Sequence, residues 1–108
     1  KTLIEKGGMA LLCPGEIPQK NITGCYCGDL LSWVMSRAKE GDAWLTVMGN
    51  INAVGVAALS ECACIVLTEN ASLDSDALKR AEENDIAILR TEKNSYETAV
   101  LLSKLLGD

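Results

Sequence analysis

The segment from Ala43 to Thr68, AWLTVMGNINAVGVAALSECACIVLT, constrains the fold more than any other part of this chain. It reads as strand, polar turn, helix, strand. Trp44–Met48 is a short apolar run, and Gly49-Asn50-Ile51-Asn52 stops it with turn-forming residues. Ala53–Leu59 is rich in small apolar residues, and Ala63–Leu67 is the continuous apolar run expected of a strand buried on both faces. Parallel strands joined through a helix form an open α/β sheet, and ligands of such sheets gather beyond the strand C-termini. The Gly49–Asn52 turn sits at such a place.

The remainder of the chain continues the alternation. Thr2–Lys6 reads as a short helix ended by Gly7-Gly8, Met9–Cys13 as a strand stopped by Pro14-Gly15, and Glu16–Asn21 as a polar loop. Ile22–Cys27 has the composition of a second strand. Asp29 then stands as the N-cap of a helix with Leu30, Leu31, Val34, Met35 and Ala38 on one stripe, ending at Gly41. Asn50 or Asn52 caps the helix Ala53–Leu59, whose apolar residues on nearly every side predict cover on two faces. Asp74–Asn84 reads as an amphipathic helix with a left-handed stop at Asn84-Asp85, and Ile86–Leu89 as the last strand. Asn94 and Glu97 are spaced as a capping box for a helix running to Leu106, closed by Gly107. The pattern predicts one domain over residues 1–108, a three-layer α/β/α arrangement with a mostly parallel sheet and right-handed crossovers.

Composition removes several function classes. The 108 residues include no His, which excludes a Ser-His-Asp or Cys-His mechanism within one chain and removes the commonest metal ligand. The net charge is −5 and the Lys and Arg residues form no stripe, so nucleic acid is not an expected partner. No apolar run approaches the roughly 20 residues that cross a bilayer, and no membrane association is expected. There is no Phe, so the core must be aliphatic around Trp33, Trp44, Tyr26 and Tyr96. Five cysteines, an odd number, fit a reduced cytoplasmic protein better than a disulfide framework.

Two groups of residues carry candidate chemistry. The first is the set of strand-to-helix corners, Gly49–Asn52, Thr68–Asn70 and Thr91–Ser95, which a parallel sheet would bring to one edge. Thr68-Glu69-Asn70 and Thr91-Glu92-Lys93-Asn94 echo one another. Backbone N–H groups at helix starts attract anions, and threonine hydroxyls can donate to phosphate or carboxylate oxygens. The expected ligand-binding residues are Gly49, Asn50, Asn52, Thr68, Glu69, Thr91, Lys93 and Ser95. The competing reading is that these residues only cap helices. No glycine-rich phosphate loop is present, and Glu69 and Glu92 would repel a polyphosphate unless Arg90, Lys93 or a metal intervened.

The second group is the two C-x-C pairs, Cys25/Cys27 and Cys62/Cys64. Residues two apart in a strand share a face, so each pair would project together, and four thiolates could hold zinc or an iron–sulfur cluster. The usual C-x-x-C spacing is absent, and Cys64 begins an apolar run where a thiol packs as a small hydrophobe. The expectation is therefore no resident cofactor or metal, with Cys25 and Cys27 as the alternative ligands. Trp33 lies off its helical stripe and is either a dimer-interface anchor or a ring covered by the Pro14–Asn21 loop. Asp29, Asp42 and Glu82-Glu83 read as caps and solvated charge.

The order GCYCGDLLSWVMSRAKEGDAWLTVMGNINAVGVAAL, IVLTEN, IAILRTEKNSYETA resembles the DRTGG domain over nearly the whole chain. That resemblance implies a fold similar to the N-terminal domain of the bacterial HPr kinase/phosphorylase. Related domains stand beside CBS domains in some pyrophosphatases and in some phosphotransacetylases, and stand-alone versions occur near iron-only hydrogenase genes of anaerobes. Where the family has Gly-Asp-Arg-Thr, this chain has Gly49-Asn50-Ile51-Asn52, while Thr68 and Thr91 follow the family pattern. Kinase chemistry belongs to a separate C-terminal domain of the HPr enzyme and does not follow from the resemblance.

These readings converge on a non-catalytic regulatory or sensory module, expected to be a homodimer. It would bind a small anionic ligand, a nucleotide among the candidates, or a protein partner at the C-terminal edge of the sheet. The alternative is a cysteine-based metal or redox protein of hydrogenase or anaerobic metabolism, and a small phosphotransfer enzyme comes third.

Overall fold

A computed structural model describes residues 8–13 and 22–106 of the chain. Among the described residues five strands and four helices follow in the order β1 (Ala10–Cys13), β2 (Gly24–Cys27), α1 (Leu31–Arg37), β3 (Asp42–Thr46), α2 (Ile51–Ser60), β4 (Cys64–Leu67), α3 (Ser75–Glu83), β5 (Ile88–Arg90) and α4 (Ser95–Leu105). The expected helix at Thr2–Lys6, the loop Glu16–Asn21 and the closing Gly107 lie outside the described residues.

The sheet order is β1-β5-β4-β3-β2. Strands β2 to β5 are parallel, and β1 joins β5 antiparallel with an irregularity between Leu11 and Cys13. The chain thus steps from β2 to β5 always in one direction. Right-handed crossovers taken in one direction must all leave their helices on the same face. The packing agrees: Trp44, Ile65, Leu67 and Ile88 point to a core shared with Val34 of α1, Ala53, Val54, Val56 and Ala57 of α2, and Ala77 and Ala81 of α3. The alternate residues Ala43, Leu45, Cys64, Val66 and Leu89 point the other way, onto Leu102 with Ala99, Leu101 and Leu105 of α4. The result is the expected three-layer α/β/α domain with a mostly parallel sheet, the described residues placing three helices on one face and one on the other.

Every residue of β3 and β4 is buried; the apolar run predicts this for β4, whereas β3 begins two residues before the expected Trp44–Met48 strand and leaves Val47 exposed. The small residues of α2 also find their reason here. The helix lies between α1 and α3 as well as on the sheet, so Ala and Val let the axes approach. That cover comes from within the chain, so the small-residue helix needs no second copy to bury it.

The ends of the elements differ in instructive ways. Asp29 does not cap α1. The N-cap is Leu30, without a side-chain bond, and α1 stops at Arg37 rather than running to Gly41. Of the five residues on the expected stripe only Val34 is buried, while Leu30 and Met35 are at least half exposed. Asn50, not Asn52, caps α2, its Oδ1 accepting from the Ala53 N–H at 2.9 Å. Asn94 and Glu97 form the capping box of α4, and Asp85 takes the left-handed conformation predicted for that stop. Among the described residues no helix is long and apolar enough to cross a membrane.

Among the described residues α4 alone supplies the helical layer of its face, and Leu102→Ala is expected to cost about 2–5 kcal/mol in urea unfolding, as for other fully buried leucines. Leu59, which is 73% exposed on α2, provides the contrast: Leu59→Ala should stay within about 0.5 kcal/mol.

Candidate functional site

Parallel pairing brings the C-terminal ends of β2, β3, β4 and β5 to one edge, and side chains from each corner meet there. Thr46, Thr68 and Thr91 follow the last apolar or basic residue of three successive strands, and all three are buried. The Thr46 hydroxyl donates to Asp29 Oδ1 at 2.6 Å and accepts from the Met48 N–H at 3.2 Å. The same Asp29 oxygen accepts from the Val47 N–H at 3.1 Å. Asp29 is therefore a brace between the β2–α1 and β3–α2 corners, not solvated charge. Thr68 Oγ1 lies 3.4 Å from Ser95 Oγ, and Thr91 Oγ1 accepts from the Lys93 N–H at 3.3 Å.

Backbone bonds join the remaining corners. The Asp74 N–H donates to the Gly49 carbonyl at 2.8 Å. The Glu69 N–H donates to the Lys93 carbonyl at 2.8 Å, and the Asn70 N–H to the Thr91 carbonyl at 2.7 Å. Glu69 and Asn70 are both in the left-handed region, at φ 55° each. Such conformations cost non-glycine residues free energy and persist where surrounding bonds over-determine them. The two bonds to the β5–α4 corner provide that determination. Gly49 is required for a different reason, close approach: a Cβ there would run into the Ser72 carbonyl.

The sidedness of the helices singles out one position along this edge. The chain leaves β4 toward α3 on one face and leaves β5 toward α4 on the other. Adjacent strands whose connections part in this way form a topological switch point, the usual ligand position in open α/β sheets. Thr68, Glu69, Thr91, Lys93 and Ser95 belong to these two corners; Gly49, Asn50 and Asn52 belong to the neighbouring one. Glu69, Lys93 and Asn52 are exposed, Ser95, Asn50 and Gly49 are half-buried, and Thr68 and Thr91 lie beneath them. Sequence reasoning missed Thr46 and the role of Asp29. The recurrence of threonine after Leu45, Leu67 and Arg90 is the signal that could have found Thr46.

A surface cleft of about 490 Å³ lies at the opposite end of the strands, lined by Thr23, Gly41, Ala63, Ile86, Asn84, Ala57, Ala58, Glu40 and Glu61. Its two carboxylates make it a poor receptor for an anion.

The cysteines divide. Cys25 and Cys27 are exposed on β2 with their sulfurs 3.9 Å apart, as the strand spacing predicts. Cys62 and Cys64 do not project together: Cys62 packs with the core under α1–α3 and Cys64 with the core under α4. The physical reason is that Cys62 precedes β4, in a turn where its N–H donates to the Ala57 carbonyl, so the strand's two-residue period does not reach it. A four-cysteine centre is not assembled, and among the described residues no group of three or more Cys, Asp or Glu could hold a metal. The hydrogen bond from Cys25 favours the Cys27 thiolate and draws its pKa down to about 7. The same bond, with burial next, raises that of Cys25.

Trp33 is half exposed, with the Arg37 guanidinium 3.9 Å over its ring. Of its two readings, the covering loop Pro14–Asn21 lies outside the described residues.

Two expectations follow from this geometry. Gly49→Ala should lower stability by about 2–4 kcal/mol, because the corner packed against it must move. Gly55, in α2, has open space around its missing Cβ, so Gly55→Ala should raise stability by about 0.5–1 kcal/mol. Paired urea titrations check both. For the thiols, a lowered pKa means the Cys27 thiolate forms at lower pH than in an isolated cysteine. Alkylation of Cys27 should rise through a midpoint near pH 7, and Cys25→Ala should move that midpoint upward, read by mass spectrometry of iodoacetamide-treated protein.

Comparison with known proteins places this geometry among relatives. The sequence model of the DRTGG domain matches residues 10–105. A similar solved structure is that of the CBS and DRTGG domains of the regulatory region of Clostridium perfringens pyrophosphatase, complexed with its activator diadenosine tetraphosphate. The TM-score is 0.78 at 13% identity, covering 94% of this chain and 44% of that one, so the likeness is one of fold. Comparison with curated protein sequences gives no match.

Proposed function

The chain belongs to the DRTGG domain family, and we propose that it is a non-catalytic regulatory module that binds a small anionic ligand at the β4–β5 switch point. The single observation that carries this reading is the parting of α3 and α4 to opposite faces above two threonine corners. Support comes also from the structural relative, a regulatory region complexed with a nucleotide activator. A nucleotide is accordingly the first ligand class to consider.

The residues divide into presenters and holders. Lys93, Ser95 and Asn52 offer a cation, a hydroxyl and an amide on the outer surface, and the start of α4 adds the positive end of its helix dipole. Thr68, Thr91, Gly49 and Asn50 hold the corners in shape through the bonds already described. Glu69 stands against a bare polyphosphate, which favours a ligand with limited charge or one carrying its own counterion. The divergence at Asn50-Ile51-Asn52 from the family's Asp-Arg-Thr leaves Lys93 as the basic group of the site. The module is cytoplasmic and pairs with a second copy through the edge that carries β2, α1 and the half-exposed Trp33.

Thermal unfolding against adenine and guanine nucleotides, dinucleoside polyphosphates and simple anions tests the reading. A ligand of the folded state at a hundredfold excess over its Kd adds about 2.7 kcal/mol, seen as a midpoint rise of several degrees. Lys93→Ala and Asn52→Ala, both at exposed positions, should abolish the rise while leaving the unliganded midpoint nearly unchanged. A flat panel rejects the anion reading and leaves a protein-interaction module. Light scattering checks the pairing, and a monomer at working concentration rejects it.

A further inference from the structure

Cys25 and Cys27 are the one pair of soft ligands that the described surface presents together, and the site above the switch point makes no use of them. β2 is the edge strand of the sheet, so the pair stands at the margin of the molecule. Its spacing is fixed by pairing to a wholly buried neighbour, Cys25 opposite Ala43 and Cys27 opposite Leu45.

The fixed spacing decides what the sulfurs can do. In a strand the Cβ atoms of residues two apart lie about 6.5 Å from each other, whereas a disulfide needs them about 3.5–4.5 Å apart. Joining Cys25 to Cys27 would require β2 to buckle away from β3. The observed 3.9 Å between the sulfurs is instead close to the span of two thiolates on one tetrahedral ion. At a metal–sulfur distance near 2.3 Å that span is about 3.8 Å. A linear two-coordinate ion with the same bonds would need about 4.6 Å. Asp29 and Asp42, each near enough to act on one thiol, add negative potential that favours a cation.

A tetrahedral ion needs two more ligands. The chain has no His, and among the described residues no third Cys, Asp or Glu joins the pair. A second copy of the chain offers an identical dithiol at an identical edge, and a two-fold axis through the ion would complete the set. We propose that Cys25 and Cys27 form half of a tetrathiolate site for a thiophilic, tetrahedral divalent ion of the zinc class, the other half coming from the same residues of a second copy. As the four metal–sulfur bonds form, the remaining thiol protons pass to solvent, and no electron is transferred. The inference is independent of the anion-binding reading, since it uses neither its residues nor its ligand.

Cobalt(II) and zinc(II) titrations of the reduced full chain test it. Expected are the intense visible bands of tetrahedral, thiolate-bound cobalt, saturation at one ion per two chains, and a two-chain, one-ion species by native mass spectrometry. Cys25→Ser and Cys27→Ser should each abolish all three. In the unaltered protein zinc should slow alkylation of both residues by about tenfold or more, since a bound thiolate is withheld from attack. Saturation at one ion per chain, cobalt bands without thiolate character, or alkylation unaffected by zinc overturns the proposal.

Discussion

The structure depends on two adjacent strands, β3 and β4, that are buried on both faces. A strand in that position needs a helix above and a helix below, because neither of its apolar faces can meet water. Stepping in one direction from β2 to β5 spends three right-handed crossovers on the same face. The opposite face is left for α4, which must turn back across the sheet toward β2 and β3 to reach the core beneath it. From this follows the parting of connections at β4 and β5, which makes one part of the strand edge different from the rest.

The edge itself is held by a chain of bonds rather than by any one strong contact. Asp29 ties the first corner to the second, the Gly49 carbonyl ties the second to the third, and Glu69 and Asn70 tie the third to the fourth. Two consecutive left-handed residues are kept in place by this chain. A surface built in this way has its backbone corners and threonine hydroxyls fixed in advance, a geometry that would spare the proposed ligand the cost of ordering a loop. The family's turn motif is altered here, yet the glycine survives, and the geometry gives the reason: it is the approach of the Ser72–Leu73 backbone, not a charge, that forbids a side chain at position 49.

The elements that were legible in the sequence are those whose signal is local. The apolar runs of β3 and β4, the Asn94–Glu97 capping box and the left-handed stop at Asp85 are all written in neighbouring residues. Cys25 and Cys27 share a face because the strand period is two, whatever the rest of the chain does. Asp29 was misread because an acidic residue before a helical stripe has two possible partners. The helix N-terminus is adjacent in sequence, whereas Thr46 is seventeen residues away and visible only once β2 and β3 are paired. Cys62 was misread for the opposite reason, a two-residue rule applied one turn before the strand begins.

The sequence by itself determined the alternation of strands and helices, the aliphatic core, the absence of histidine chemistry and the family pattern at Thr68 and Thr91. Only the tertiary structure decided which faces the helices took, that the small residues of α2 pack between α1 and α3, and that the four corners brace one another. The division has a single physical origin. Propensity, capping and period are set within a few residues, while sidedness and cross-corner bonds depend on the order in which strands are laid beside one another. No local segment carries that order.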